Sequence, residues 1–133
     1  MARDREMSQH IHIGQEALME AAWEGGYLTV LTLLRSGGAN VHLANVHLAN
    51  GDGDTALHYA ALRGHHSVVD LLLNRDANAN RVNRDGDTPL HYAALQDHHS
   101  VVELLLNHGA TANLINGDGD YVTPSGVLCV ANL

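Results

Sequence analysis

The sequence predicts an all-α solenoid, a row of short helix-turn-helix units stacked along one axis. Two observations carry that prediction. GDGDTALHYAALRGHHSVVDLLLNRDANANRVN from Gly51 recurs as RDGDTPLHYAALQDHHSVVELLLNHGATANLIN from Arg84, so that Thr55 and Thr88, His58 and His91, and His65 and His98 are all separated by one interval. Within each copy, two apolar stretches of helical period are separated by turn residues. A fixed period of about 20–50 residues marks an array in which each unit buries its faces only against its neighbours.

The chain opens on a polar arm, residues 1–13, carrying Arg3, Asp4, Arg5 and Glu6 and lacking the apolar centre of a signal peptide. No run approaches the roughly 18 apolar residues of a membrane span. The expectation is a soluble protein of the cytoplasm or nucleus, and the lone Cys129, unable to form an internal disulfide, agrees with a reducing compartment. A divergent first unit follows, EALMEAAWEGGYLTVLTLLRSGGANVH from Glu16, whose Glu16, Glu20 and Glu24 suit an N-terminal cap.

That first unit aligns with the second only at a longer shift than the second with the third, so six extra positions need a place. Five are a tandem copy, ANVHL at Ala39–Leu43 followed by ANVHL at Ala44–Leu48, and Gly38 supplies the sixth. Either copy fits the ordinary path, and loop length alone is a weak penalty. A loop over 39–50 is favoured above an ordered longer hairpin, because short hairpins hold poorly alone.

In the regular units, Thr88 followed by Pro89 places a hydroxyl at N-cap and a proline at N1, which starts the first helix. Leu90, Ala93 and Ala94 form a narrow stripe whose alanines admit a close neighbour. Gly64 ends this helix in one unit, and Asp97 stands at the same place in the next. The second helix runs from about Ser67 with Val68, Val69, Leu71, Leu72 and Leu73 as a wide apolar face. The segment through Asn80 and Asp85–Gly86–Asp87 reads as a turn projecting to the next unit.

The units span about 14–49, 50–82 and 83–115, with a partial fourth over 116–133. Threonine is due at Tyr121, yet Thr-Pro appears at Thr123–Pro124, leaving only Val127–Leu133 for a helix. Val127, Leu128, Val130 and Leu133 are expected to cover the third unit as a makeshift lid.

TPLHYAA from Thr88, TALHYAA from Thr55, RGHHSVVDLLL from Arg63 and HGATAN from His108 are similar to the consensus of the ankyrin-repeat family over most of the chain. The resemblance implies helix-turn-helix units joined by β-hairpin-like fingers, non-catalytic, with protein partners taken on the concave side. It also implies that the two residues after the Ala-Ala of each first helix face that side: Trp23 and Glu24, Leu62 and Arg63, Leu95 and Gln96. Trp23 is the expected anchor, with a buried core Trp as the competing reading; Val82 and Arg84 complete the face. Tyr59 and Tyr92 are expected to pack between units, and the resemblance gives His58 and His91 structural hydrogen bonds there.

Asp52 and Asp54, Asp85 and Asp87, and Asp118 and Asp120 recur at the repeat interval on the turn tips. Helix-packing distance puts these rungs about 10 Å apart. They read as a docking strip for an Arg- or Lys-rich partner, or more plainly as turn chemistry. Calcium fits poorly, since the segment has neither the twelve-residue loop nor the closing Glu of an EF-hand. A metal at His65–His66 or His98–His99 fits no better, because equivalent residues one unit apart are too distant to share an ion. No HExxH, GxSxG, P-loop or dinucleotide fingerprint occurs, so neither enzyme nor cofactor is expected.

A formal charge of −8 disfavours nucleic acid as a partner and favours a basic protein. Protonating all 11 His would carry that charge to +3. A monomer is expected, with association through the lengthened finger or the shortened end as the alternative. All seven basic residues are Arg, and the pentamer copy is perfect. Both favour a second reading, an engineered scaffold without a physiological ligand.

Overall fold

The structure is a computed structural model that describes residues 17–35 and 46–131. Helix α1 is described over residues 17–24. It is followed by α2 (Tyr27–Arg35), α3 (Ala56–Arg63), α4 (His66–Asn74), α5 (Pro89–Leu95) and α6 (His99–Asn107). A two-stranded antiparallel hairpin closes the described chain, β1 (Tyr121–Val122) pairing with β2 (Leu128–Cys129). First helices stack on first helices and second helices on second, α3 against α5 and α2, α4 and α6 in a row. This is the all-α solenoid that the repeat period predicts. The polar arm, Glu16, Gly38, the first pentamer copy and Leu133 lie outside the described residues.

The core follows the stripes. Ala22, Ala60, Ala61 and Ala93 are fully buried in the first-helix row, and Val68, Val69 and Leu72 in the second-helix row. Alanine there removes little area from water; its role is to let helix backbones approach, while the aliphatic residues supply most of the burial.

Thr55 and Thr88 cap α3 and α5 as expected, and each cap is a reciprocal box closed by a histidine. The Thr55 N–H donates to His58 Nδ1 at 3.1 Å, and the His58 N–H donates to Thr55 Oγ1 at 3.4 Å. Because Nδ1 accepts, the ring proton is assigned to Nε2, which faces the Asp87 carbonyl at 2.9 Å in the next finger. His91 caps α5 in the same way, but its Nε2 reaches the Leu114 carbonyl at 2.8 Å, ahead of the Asn116 turn, rather than that of Asp120, the counterpart of Asp87. One imidazole therefore starts a helix and holds the adjoining finger.

Another histidine joins consecutive units at the opposite helix end. His65 Nε2 lies 2.8 Å from the Trp23 carbonyl, and His98 Nε2 3.0 Å from the Leu62 carbonyl. The helix ends beside them turn through Gly25 (φ 76°) and Gly64 (φ 73°). A Cβ on either glycine would stand 2.5 Å from the Nδ1 of the following histidine. Glycine is thus required there for both conformation and space. Asp97 takes the same left-handed conformation at φ 59° in the third unit.

Fingers are built around Asn50, Asn83 and Asn116. Each side-chain oxygen accepts the N–H groups two and four residues on, as Asn83 does from Asp85 and Asp87 at 3.0 and 2.9 Å. Neighbouring tips touch through their main chains, Arg84 N–H to the Asp52 carbonyl at 3.0 Å and Gly117 N–H to the Asp85 carbonyl at 2.7 Å. The tips are therefore closer than the spacing of packed helices, about 10 Å, because the fingers are hydrogen-bonded directly rather than separated by side chains.

The duplicated pentamer has a defined register where it is described. Val46, from the second copy, is buried at the place that Ala79 occupies one period later, and the His47 carbonyl accepts from Arg81 Nη1 at 3.0 Å. The second copy follows the ordinary path into the finger.

At the far end, the helix expected over Val127–Leu133 is replaced by the hairpin. Thr123 and Pro124 do not cap a helix. They lie in the hairpin turn, with the Gly126 N–H bonded to the Thr123 carbonyl at 2.8 Å. Val122 is buried and Leu128 half-buried against the third unit, whereas Val127 and Val130 are 57% and 43% exposed. Alternation along a strand decides which residues face inward, so only part of the expected apolar lid covers the stack.

Two stability measurements check this account. Gly64→Ala places a Cβ in a left-handed backbone and against the His98 ring, and is expected to lower unfolding free energy by about 2 kcal/mol or more in urea titration. Burial pushes the His58 imidazole below its ordinary pKa, outweighing the Asp87 carbonyl and the Asp54 and Asp87 carboxylates, which favour the charged ring. With the folded value depressed, the unfolded chain binds the proton first as pH falls below about 6.5. His58 therefore contributes full stability above that pH and progressively less down to its folded pKa. The pH-dependence of the urea midpoint should become shallower between about pH 7 and 5 in His58→Gln; an unchanged slope would count against a depressed pKa for His58 in the folded state.

Candidate functional site

The residues expected to face a partner come from the C-terminal ends of α1, α3 and α5 and from the finger tips. Trp23 is half-buried. Tyr59 of α3 meets its ring edge-on, with centroids 5.4 Å apart and planes at 73°. The Arg63 guanidinium carbon lies 4.7 Å from the ring centroid on the face. With its carbonyl held by His65, this tryptophan is positioned from three sides and keeps part of its surface exposed. It is neither a core residue nor a loose one. A guanidinium over an indole face contributes roughly 0.5–1 kcal/mol at an exposed site, enough to preorganise both groups.

The rest of the row is graded. Leu62 is half-buried, while Glu24, Arg63 and Gln96 are exposed. Leu95 is 58% exposed and Val82 53%, and Arg84 is exposed on the second tip. The structure brings Trp23, Tyr59 and Arg63 into contact, and Leu95 and Gln96 follow at the next helix end. Large apolar side chains are left open beside cations and amides along this row.

The six aspartates divide into two sets. Asp52, Asp85 and Asp118 are exposed on the tips. Asp54 is buried, accepting from Asn83 Nδ2 at 2.9 Å and from the Tyr92 hydroxyl at 3.0 Å. Half-buried Asp87 accepts from Asn116 Nδ2 at 2.7 Å, and Asp120 from the Ala131 N–H at 3.3 Å. The expectation of six outward carboxylates is thereby corrected for Asp54 and Asp87, which bond the neighbouring unit, while Asp120 meets only the end of the terminal hairpin. The reason is the turn itself, which points Asp54 and Asp87, four after Asn50 and Asn83, toward the following finger.

Both buried-edge tyrosines belong to this internal network. Tyr59 accepts from Asn50 Nδ2 and Tyr92 from Asn83 Nδ2, each at 2.7 Å. Burial, with the Asp54 carboxylate nearby, raises both phenol pKa values and keeps Tyr92 a neutral donor. Sequence reasoning misses these asparagines as working parts of the array. Their signal is the recurrence of Asn50, Asn83 and Asn116 at the repeat interval, each four before an aspartate.

Among the described residues, no three His, Cys, Asp or Glu side chains converge as a metal site. No described helix is long and apolar enough to cross a membrane.

Known proteins agree with the geometry. A family model described as ankyrin repeats, in three copies, matches residues 18–116 and leaves the terminal hairpin outside. The chain is also similar to the ankyrin repeat and KH domain-containing protein mask of Drosophila melanogaster, 46% identical over 65 residues. That match covers 49% of this chain and only 2% of the length of the Drosophila protein. With stacked helix pairs, hydrogen-bonded fingers and three matched copies of the repeat, the chain belongs to the ankyrin-repeat family.

Proposed function

We propose that this chain is a non-catalytic module that binds a protein partner across the row Trp23, Glu24, Leu62, Arg63, Leu95 and Gln96. The exposed tips Asp52, Asp85 and Asp118, with Val82 and Arg84 beside them, extend the surface toward a basic segment of that partner. Ankyrin repeats are in general protein–protein interaction modules. The observation that carries the reading is the half-exposed Trp23, held by Tyr59 and stacked by Arg63, in a position where burial would have served stability better. Rigid aromatic anchors lose little entropy on binding, which is why interface energy concentrates on them. Asp54, Asp87 and Asp120 are assigned to the fold rather than to the partner. A reducing intracellular setting and a monomeric state complete the proposal. The scaffold reading, supported by the copied pentamer and the absence of Lys, predicts that no partner depends on these residues.

Trp23 is the sole tryptophan, so its fluorescence reports on this row directly. For a protein recovered by affinity capture, Trp23→Ala should weaken binding about 30-fold, the loss of an interface anchor worth roughly 2 kcal/mol. Neutralising Asp52 and Asp85 to Asn should flatten the salt dependence of association and leave the urea midpoint nearly unchanged. Captured partners indifferent to both changes would overturn the assignment.

A further inference from the structure

The two ends of the stack differ in a way that marks a second surface. Positions Val68 and Leu71 on α4 are buried, as is Val101 on α6, whereas their counterparts on α2, Thr29 and Thr32, are exposed. The side of each second helix that looks back along the stack is therefore polar in the first unit, where α2 has no preceding second helix among the described residues. The forward side receives no such treatment. Leu34 and Leu73 are buried beneath the following unit, but their counterpart Leu106 is only half-buried. An open groove of about 330 Å³ runs beside it, between Val102, Glu103 and Leu106 of α6 and the hairpin turn at Pro124 and Gly126. An adjoining cavity of about 390 Å³ shares Gly126 and brings in Leu95, Asp97 and Val127. The hairpin covers α5 and leaves the α6 half open. This groove continues the internal interface in which α4 lies on α2 and α6 lies on α4.

What the groove accepts is narrowed by the polar contacts at the same end. The Trp23 and Leu62 carbonyls each meet a histidine from the next unit, and Gly25 and Gly64 leave room for its ring. The equivalent of those glycines is Asp97, whose Cβ takes the space that a histidine ring would need. A unit of this chain's own kind is therefore refused. A second copy stacked head to tail would offer Thr29 and Thr32 to Leu106, which is a poor match. Exposed carboxylates at Asp97 and Glu103 flank the opening and favour a cationic occupant.

We propose that this groove docks an amphipathic helix of a partner protein, aliphatic at i and i+3 as Val68 and Leu71 are on α4, with basic residues along its flank. The apolar pair covers Leu106 and the edge of Val102, and the flank meets Glu103 and Asp97. The surface is separate from the Trp23 row and does not depend on it.

The probe is a fluorescein-labelled, hydrocarbon-stapled peptide copying His66–Asn74 with Asp70→Arg, stapled because so short a helix does not hold alone in water. Anisotropy titration against the full chain should give saturable binding, with amide shifts in NMR confined to Asp97, α6 and residues 124–126. Glu103→Lys, an exposed change, should weaken binding by about tenfold, and Leu106→Arg by more with an unchanged circular dichroism spectrum. Trp23→Ala should leave the affinity within about twofold, since distant sites act independently. The proposal would be overturned by no binding at millimolar peptide, by binding indifferent to Glu103→Lys, or by amide shifts centred on Trp23 and Arg63. Self-association dissolved by Leu106→Arg in sedimentation would give the face to a second copy and overturn it equally.

Discussion

The array depends on a hydrogen-bonded imidazole shared between a helix start and the segment that follows. His58 and His91 each accept from a capping N–H and reach a carbonyl in the adjoining finger, so helix initiation and finger placement share one side chain. In a solenoid no residue is far from solvent, and apolar area per unit is small. Burial drives the units together without direction. The imidazoles, the Asn83 and Asn116 amides and the Asp54 and Asp87 carboxylates decide the register at which they meet.

The second set of histidines shows how the ends are adapted. Gly26 stands where His65 and His98 stand in the later units, and Asp97 stands where Gly25 and Gly64 stand in the earlier ones. The histidine is replaced where no preceding helix end is described for it to reach, and the glycine is replaced where no ring arrives. Each substitution is neutral at its own end and would be costly in the middle, where an unmet carbonyl or a Cβ against a ring costs one to several kcal/mol. Among the described residues, the third repeat therefore lacks the glycine-and-ring contact that joins the units before it.

The fold was legible because period, capping threonines and turn residues all pointed one way, and agreement between levels is what specifies a structure. Thr88–Pro89, the alanine stripe and Gly64 could each be placed from local rules. What escaped was relational. Nothing in GDGD distinguishes Asp52 from Asp54; the difference appears only when the neighbouring finger is present to bond one of them. Nor could the terminal segment be read, since Tyr121, Val122 and Leu128 serve as strand or helix until the third unit selects the face. The Trp23 site was legible in part: its position followed from the family resemblance, but Tyr59 and Arg63 as its supports did not, being one unit away.

Polar groups that hold the repeats together are consumed in doing so. Asn50, Asn83, His58, His91, Asp54 and Tyr92 all commit their hydrogen-bonding capacity inside the array, and changing any of them would cost stability. The exposed Leu95, Gln96, Asp52 and Asp85 side chains carry little of that burden. Side chains released from structural duty are the ones that can be matched to a partner without disturbing the stack. The separation explains why Arg63 over Trp23 matters more than its modest energy suggests. It is a contact across two repeats that steadies the proposed binding row, so the geometry of that row is set by how the units stack.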